Sequence, residues 1–86
     1  MSEERIKKMK VKLKSLSPSY LKIEDEGHLH VGHAGAKKGG HFKLIISSEC
    51  FNGLSTVERH KLIYNSLGEL MDTEIHALSI SIKLHD

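Results

Sequence analysis

The chain has a single cysteine, a single proline and no tryptophan among its 86 residues. With Cys50 alone no internal disulfide can form, which suits a reducing cytoplasm better than a secretory compartment. No apolar run approaches the roughly 18 residues that a membrane span needs. The amino terminus, Met1-Ser2-Glu3-Glu4-Arg5, is charged and unlike a targeting segment. The expectation is a soluble cytoplasmic protein without membrane contact. A dominant charge is missing too: 13 Lys and Arg stand against 11 Asp and Glu, a net +2. Composition therefore does not by itself call for nucleic acid, although Lys7, Lys8, Lys10, Lys12 and Lys14 crowd the amino-terminal part. There is no nucleophile beside a base, no carboxylate pair and no phosphate loop, so we do not expect an enzyme.

Hydrophobic residues make up 38% and charged residues 28%, the balance of a folded globular domain. A chain this short has room for one domain, over residues 1–86. It buries only about 60 to 65% of its unfolded surface, so two packed layers are the practical limit. No repeat, linker or low-complexity tract divides it.

Ile6, Met9, Leu13 and Leu16 recur at helical spacing, with Glu3 and Glu4 at the favourable amino end. This predicts an amphipathic helix from Ser2 to about Leu16, its lysines forming a solvated face. Pro18 cannot continue a helix and biases its predecessor towards extended geometry. Tyr20 to Asp25 then alternates Leu21 and Ile23 with Lys22 and Glu24, a half-buried strand. Phe42 to Ser47 reads as the central strand, with Phe42, Leu44 and Ile46 on one face. A short turn or single helical turn is expected around Cys50 to Gly53, with Cys50 read as a buried small hydrophobe. Ser55-Thr56-Val57-Glu58 is a capping box. It opens a helix of about four turns whose apolar positions are Val57, Ile63, Tyr64, Leu67, Leu70 and Met71. Leu78, Ile80, Ile82 and Leu84 alternate with polar residues, giving a third strand.

Two strands joined by a loop pair antiparallel, whereas strands joined through a helix run parallel by a right-handed crossover. That geometry brings the start of the second strand near His41, the start of the third near His76, and the loop from Gly27 to Gly40 to one edge of the domain. His60 and Cys50 fall at the opposite end.

His28, His30, His33 and His41 lie in or beside this glycine-rich loop, and neutral imidazole suits zinc, copper, nickel or iron. The spacing matches neither the H-E-x-x-H helix of zinc peptidases nor a Cys/His zinc finger. Metal ligands and solvated loop residues are both consistent with it; His28 and His33 are read as solvated. His76 is either a ligand or a cation capping the end of the preceding helix.

Asp25-Glu26, His30-Val31-Gly32-His33, Gly39-Gly40-His41-Phe42, Phe51-Asn52-Gly53-Leu54-Ser55, Arg59-His60-Lys61 and Ile75-His76-Ala77-Leu78 stand in an order that resembles the BolA family signature across nearly the whole chain. The resemblance implies a class II KH-like α+β fold: a three-stranded mixed sheet, strands 1 and 2 antiparallel and 2 and 3 parallel, packed against helices. It also implies a non-enzymatic adaptor that pairs with a monothiol glutaredoxin and shares a 2Fe-2S cluster. In such complexes the glutaredoxin supplies its cysteine and a bound glutathione thiolate. The BolA partner supplies a carboxy-terminal histidine, matched here by His76, and a loop His or Cys, matched by His30. His41 is the second choice for the loop ligand. The free protein is expected to be a monomer that serves cluster assembly, trafficking or iron regulation.

The alternative is a transcriptional regulator that binds DNA or RNA. A KH site needs a G-x-x-G loop between two helices. Gly32-His33-Ala34-Gly35 fits the letters but lies between two strands. The corresponding basic residues would be Arg59, His60 and Lys61, together with the lysine-rich first helix.

Overall fold

A computed structural model describes residues 2–27 and 40–84. Among them the order is α1 (Ser2–Leu13), a 3-10 turn (Lys14–Leu16), β1 (Tyr20–Asp25), β2 (Gly40–Ser47), a 3-10 turn (Glu49–Phe51), α2 (Thr56–Leu67), α3 (Leu70–Thr73) and β3 (Ile75–Ile82). The strands form one sheet in the order β1-β2-β3. β1 runs antiparallel to β2, Tyr20 facing Ser47 and Asp25 facing Phe42, and β2 runs parallel to β3.

The central strand carries the core. Phe42, Leu44 and Ile46 project to the helical side and are at most 1% exposed, and they meet Met9 and Leu13 of α1 and Ile63 and Leu67 of α2, all fully buried. Each such side chain contributes about 1.5–3 kcal/mol when withdrawn from water. The first helix stops being α-helical at Leu13 and tightens into a 3-10 turn, which still buries Leu16. Ser17 then adopts the left-handed conformation, φ 48°, ahead of Pro18.

The expected four-turn helix is two helices. Gly68, at φ 54° and ψ −128°, takes a conformation that side-chain-bearing residues avoid, and this ends α2 and redirects the chain into α3. Val57 and Tyr64, expected on the apolar face, are 63% and 41% exposed, because the face that packs is the one carrying Ile63 and Leu67. Cys50 is likewise exposed rather than buried: in its single 3-10 turn the inward position belongs to Phe51. The third strand begins earlier than the alternation suggests, at Ile75, and ends at Ile82, leaving Leu84 beyond it and 51% exposed.

Candidate functional site: an imidazole pair at the sheet end

Parallel pairing of β2 and β3 sets their amino ends side by side, and His41 and His76 occupy those ends. The two imidazole rings lie 5.0 Å apart between centroids, tilted by 44°. His76 is exposed and His41 partly so.

The pair depends on a β-bulge. The register passes from Gly40 facing Ile75 to His41 facing Ala77, so β3 carries one extra residue at His76. Along β3, Ile75 is buried, His76 and Ala77 are both exposed, and only from Leu78 does strict alternation resume. An uninterrupted strand in the phase of Leu78, Ile80 and Ile82 would turn His76 towards the core. The bulge turns it outward instead, a common use of bulges beside functional sites.

Two residues hold this junction. Gly40 donates its N–H to the Glu74 carbonyl at 3.0 Å, which joins β2 to the turn that precedes His76. A Cβ at Gly40 would lie 2.7 Å from the ring of Phe42, a buried side chain with no room to withdraw, so this position requires glycine. The Glu74 carboxylate receives Arg5 at 3.3 Å and Lys8 at 3.5 Å, tying α1 to the same turn. Sequence reasoning named Gly40 within the Gly39-Gly40-His41-Phe42 motif, without this role, and did not find Glu74. The partners of Glu74 are more than sixty positions away, so no spacing pattern reveals them. An open cleft of about 320 Å³ adjoins the pair, lined by Glu26, His41, Phe42, Ala77, Leu78 and Ser79.

His30, the first choice for the loop ligand, lies outside the described residues, as do His28, His33 and the Gly32–Gly35 segment. Among the described residues no group of three or more His, Cys, Asp or Glu side chains is arranged to hold a metal ion. His41 and His76 thus offer two nitrogen donors, and a metal held there takes its remaining ligands from elsewhere.

The basic trio lies at the other end of the sheet, on the first turns of α2. Arg59 donates through Nε to the Phe51 carbonyl at 2.9 Å. His60 packs edge-on against Tyr64, their ring centroids 6.4 Å apart, and Lys61 is exposed. Beside them the capping box forms as expected. Glu58 N–H donates to Ser55 Oγ at 3.1 Å, and Ser55 N–H donates to the Glu58 carboxylate at 2.9 Å. The backbone N–H of Ser55 and then its hydroxyl hold the Glu58 carboxyl below the usual carboxylate range.

Fold and site together define a class: a small α+β domain with a mixed three-stranded sheet and an exposed imidazole pair where two parallel strands begin. Comparison with known proteins carries this further. The family model described as "BolA-like protein" matches residues 13–86. The chain is 45% identical to the chloroplastic protein BOLA1 of Arabidopsis thaliana, over 94% of this chain and 54% of that protein, so it spans about half the length of that relative. It is 38% identical to the DNA-binding transcriptional regulator BolA of Haemophilus influenzae, over 95% of this chain and 77% of that protein. Among solved structures, the BolA domain of SufE1 from Arabidopsis thaliana superposes with a TM-score of 0.77 at 42% identity, covering 91% of this chain and 88% of that domain. The whole SufE-like protein 1 is longer, the chain spanning 20% of it. The chain belongs to the BolA family.

Proposed function

We propose that this protein is a non-catalytic adaptor that binds a monothiol glutaredoxin and shares a 2Fe-2S cluster with it, in cluster assembly, trafficking or iron regulation. The observation that carries this reading is the His41–His76 pair, two imidazoles 5.0 Å apart on an exposed sheet end. An incomplete donor set at the surface suits a metal group that arrives with ligands of its own, here the glutaredoxin cysteine and a glutathione thiolate. His76 is the ligand from β3. His30 is the ligand from the loop, with His41 the second choice.

A 2Fe-2S cluster with neutral imidazole in place of thiolate on one iron carries less negative charge and is easier to reduce. The tasks of this chain are to present unprotonated nitrogens and to hold them in place. The bulge directs His76 outward, and Gly40 and Glu74 fix the junction on which both rings depend. Imidazole binds metal only when unprotonated, so a cluster held here would be lost on acidification.

The test is to mix the apo protein with a cytosolic monothiol glutaredoxin that carries its cluster, and to record visible absorption and circular dichroism. A new spectrum with one-to-one stoichiometry is expected, altered in His76→Ala and retained in Arg59→Ala. An unchanged spectrum in His76→Ala would remove His76 as a ligand, and no interaction at all would sink the adaptor reading.

A second reading, nucleic-acid binding, draws support from the name of the Haemophilus relative and from the exposed Lys7, Lys10, Lys12 and Lys14 of α1 and its following turn. Binding of this kind weakens steeply with salt. Fluorescence anisotropy with duplex DNA across a salt series tests it, and an absence of binding at low salt excludes it.

A further inference from the structure

The two edges of the sheet are built differently. The β1 edge carries Lys22, Glu24 and Asp25 within six residues, and charges of this kind protect an edge from pairing with other chains. The β3 edge runs Ile75-His76-Ala77-Leu78-Ser79-Ile80-Ser81-Ile82, with neither a Lys, Arg, Asp or Glu nor a proline. The hydrogen bonds of β3 show which of its groups face outward. Lys83 N–H donates to the Ile46 carbonyl at 2.9 Å, so the residues in phase with it, Ser81 and Ser79, direct their backbone groups to β2. Ile82, Ile80 and Leu78 direct theirs to the open edge. None of the non-ladder backbone hydrogen bonds among the described residues uses those outward groups. The same three side chains remain half-buried on the helical face, whereas Phe42, Leu44 and Ile46 beside them are closed off.

The segment Leu78-Ser79-Ile80-Ser81-Ile82 reads nearly the same in both directions about Ile80. We propose that β3 pairs antiparallel with β3 of a second copy of this chain, about a twofold axis at Ile80, joining two sheets into one. Ile80 then faces Ile80, and Leu78 faces Ile82. These are the residues whose N–H and C=O groups point outward, so each facing pair exchanges two hydrogen bonds. Ser79 faces Ser81 on the uncovered side of the sheet, and Ala77 faces Lys83, so no like charges oppose one another. The twofold places each His76 about 13 Å along the strand from the axis, at opposite ends, so the imidazole pairs remain open in the dimer. A single strand pair buries less than the roughly 1,200 Å² of a standard interface, so the association is weak and concentration-dependent.

The full chain is measured by sedimentation equilibrium from micromolar to millimolar concentration, beside two variants changed only at the exposed Ser79 and Ser81, with far-ultraviolet circular dichroism to check the fold. The weight-average mass of the unsubstituted chain should rise from 9.7 kDa towards twice that value. Ser79→Lys with Ser81→Lys sets lysine opposite lysine twice and should weaken the dimer about tenfold, while Ser79→Glu with Ser81→Lys sets opposite charges together and should tighten it about as much. A mass that stays at 9.7 kDa at millimolar concentration overturns the proposal. So does a dimer indifferent to the double lysine variant, or one weakened by the opposite-charge pair.

Discussion

The two ends of the sheet use polar side chains in opposite ways. At the carboxyl end of β2 several polar groups are committed to the fold. Ser48 is 1% exposed, donates to the Leu16 carbonyl at 2.5 Å and accepts from Cys50 N–H at 3.2 Å. Ser47 donates to the Lys83 carbonyl at 2.7 Å, Arg59 closes the turn at Phe51, and Ser55 and Glu58 cap α2. At the amino ends of β2 and β3, two imidazoles meet at the surface, and among the described residues the backbone junction is made by Gly40 N–H to the Glu74 carbonyl and Glu26 N–H to the His41 carbonyl. The difference teaches that the basic motif Arg59-His60-Lys61 lies where the fold is secured. The functional candidates lie where little stability depends on them.

If that contrast is right, substitutions at the two ends should separate stability from cluster sharing. The largest loss is expected for Phe51→Ala, which empties a fully buried site at the secured end and should cost about 3–5 kcal/mol in urea unfolding. Ser48→Ala strands the buried Leu16 carbonyl and should cost about 1–3 kcal/mol by the same measurement. Ser55→Ala removes the amino-terminal cap of α2 and should cost about 1 kcal/mol.

The cap also has a pH signature. Because the Glu58 pKa is lowered by folding, the stability it contributes is present above the ordinary carboxylate pKa and is lost as pH falls through the lowered value. Stability measured against pH in Glu58→Gln should lack that component. The smallest effect on stability is expected at the other end: His76→Ala, an exposed position, should change unfolding free energy by no more than about 0.5 kcal/mol. That same variant should nevertheless change the spectrum of the shared cluster. A His76→Ala variant that unfolds, or a Ser48→Ala variant as stable as its parent, would break the contrast.

Much of the fold was legible because local patterns and packing agree. The alternation in Tyr20 to Asp25 and the Ser55–Glu58 box are signals within a few residues, and both appear in the structure where they were expected. Ile6, Met9, Leu13 and Leu16 likewise mark the packed stripe of α1 and its following turn. The misreadings concern particular residues. Val57 and Tyr64 have the right spacing, but the packed face of α2 excludes them. Gly68 was passed over although it lies where the helix breaks. Cys50 was read as buried by the habit of its residue type, while its neighbour Phe51 fills the space.

By itself the sequence determined the order of elements apart from the split of the crossover helix into α2 and α3, the direction in which each strand pairs, and hence that His41 and His76 begin neighbouring strands. Those are consequences of periodicity and chain connectivity, which act over short distances. The phase slip between Ile75 and Leu78 was also present in the letters, an apolar residue and then a histidine out of step with the alternation that follows. Only the tertiary structure decided that this slip is a bulge that turns His76 towards His41. Only it joined Glu74 to Arg5 and Lys8, and left the β3 edge without a partner among the described residues. Those outcomes depend on groups distant in sequence competing for the same space and the same hydrogen bonds, and no local pattern records which of them prevails.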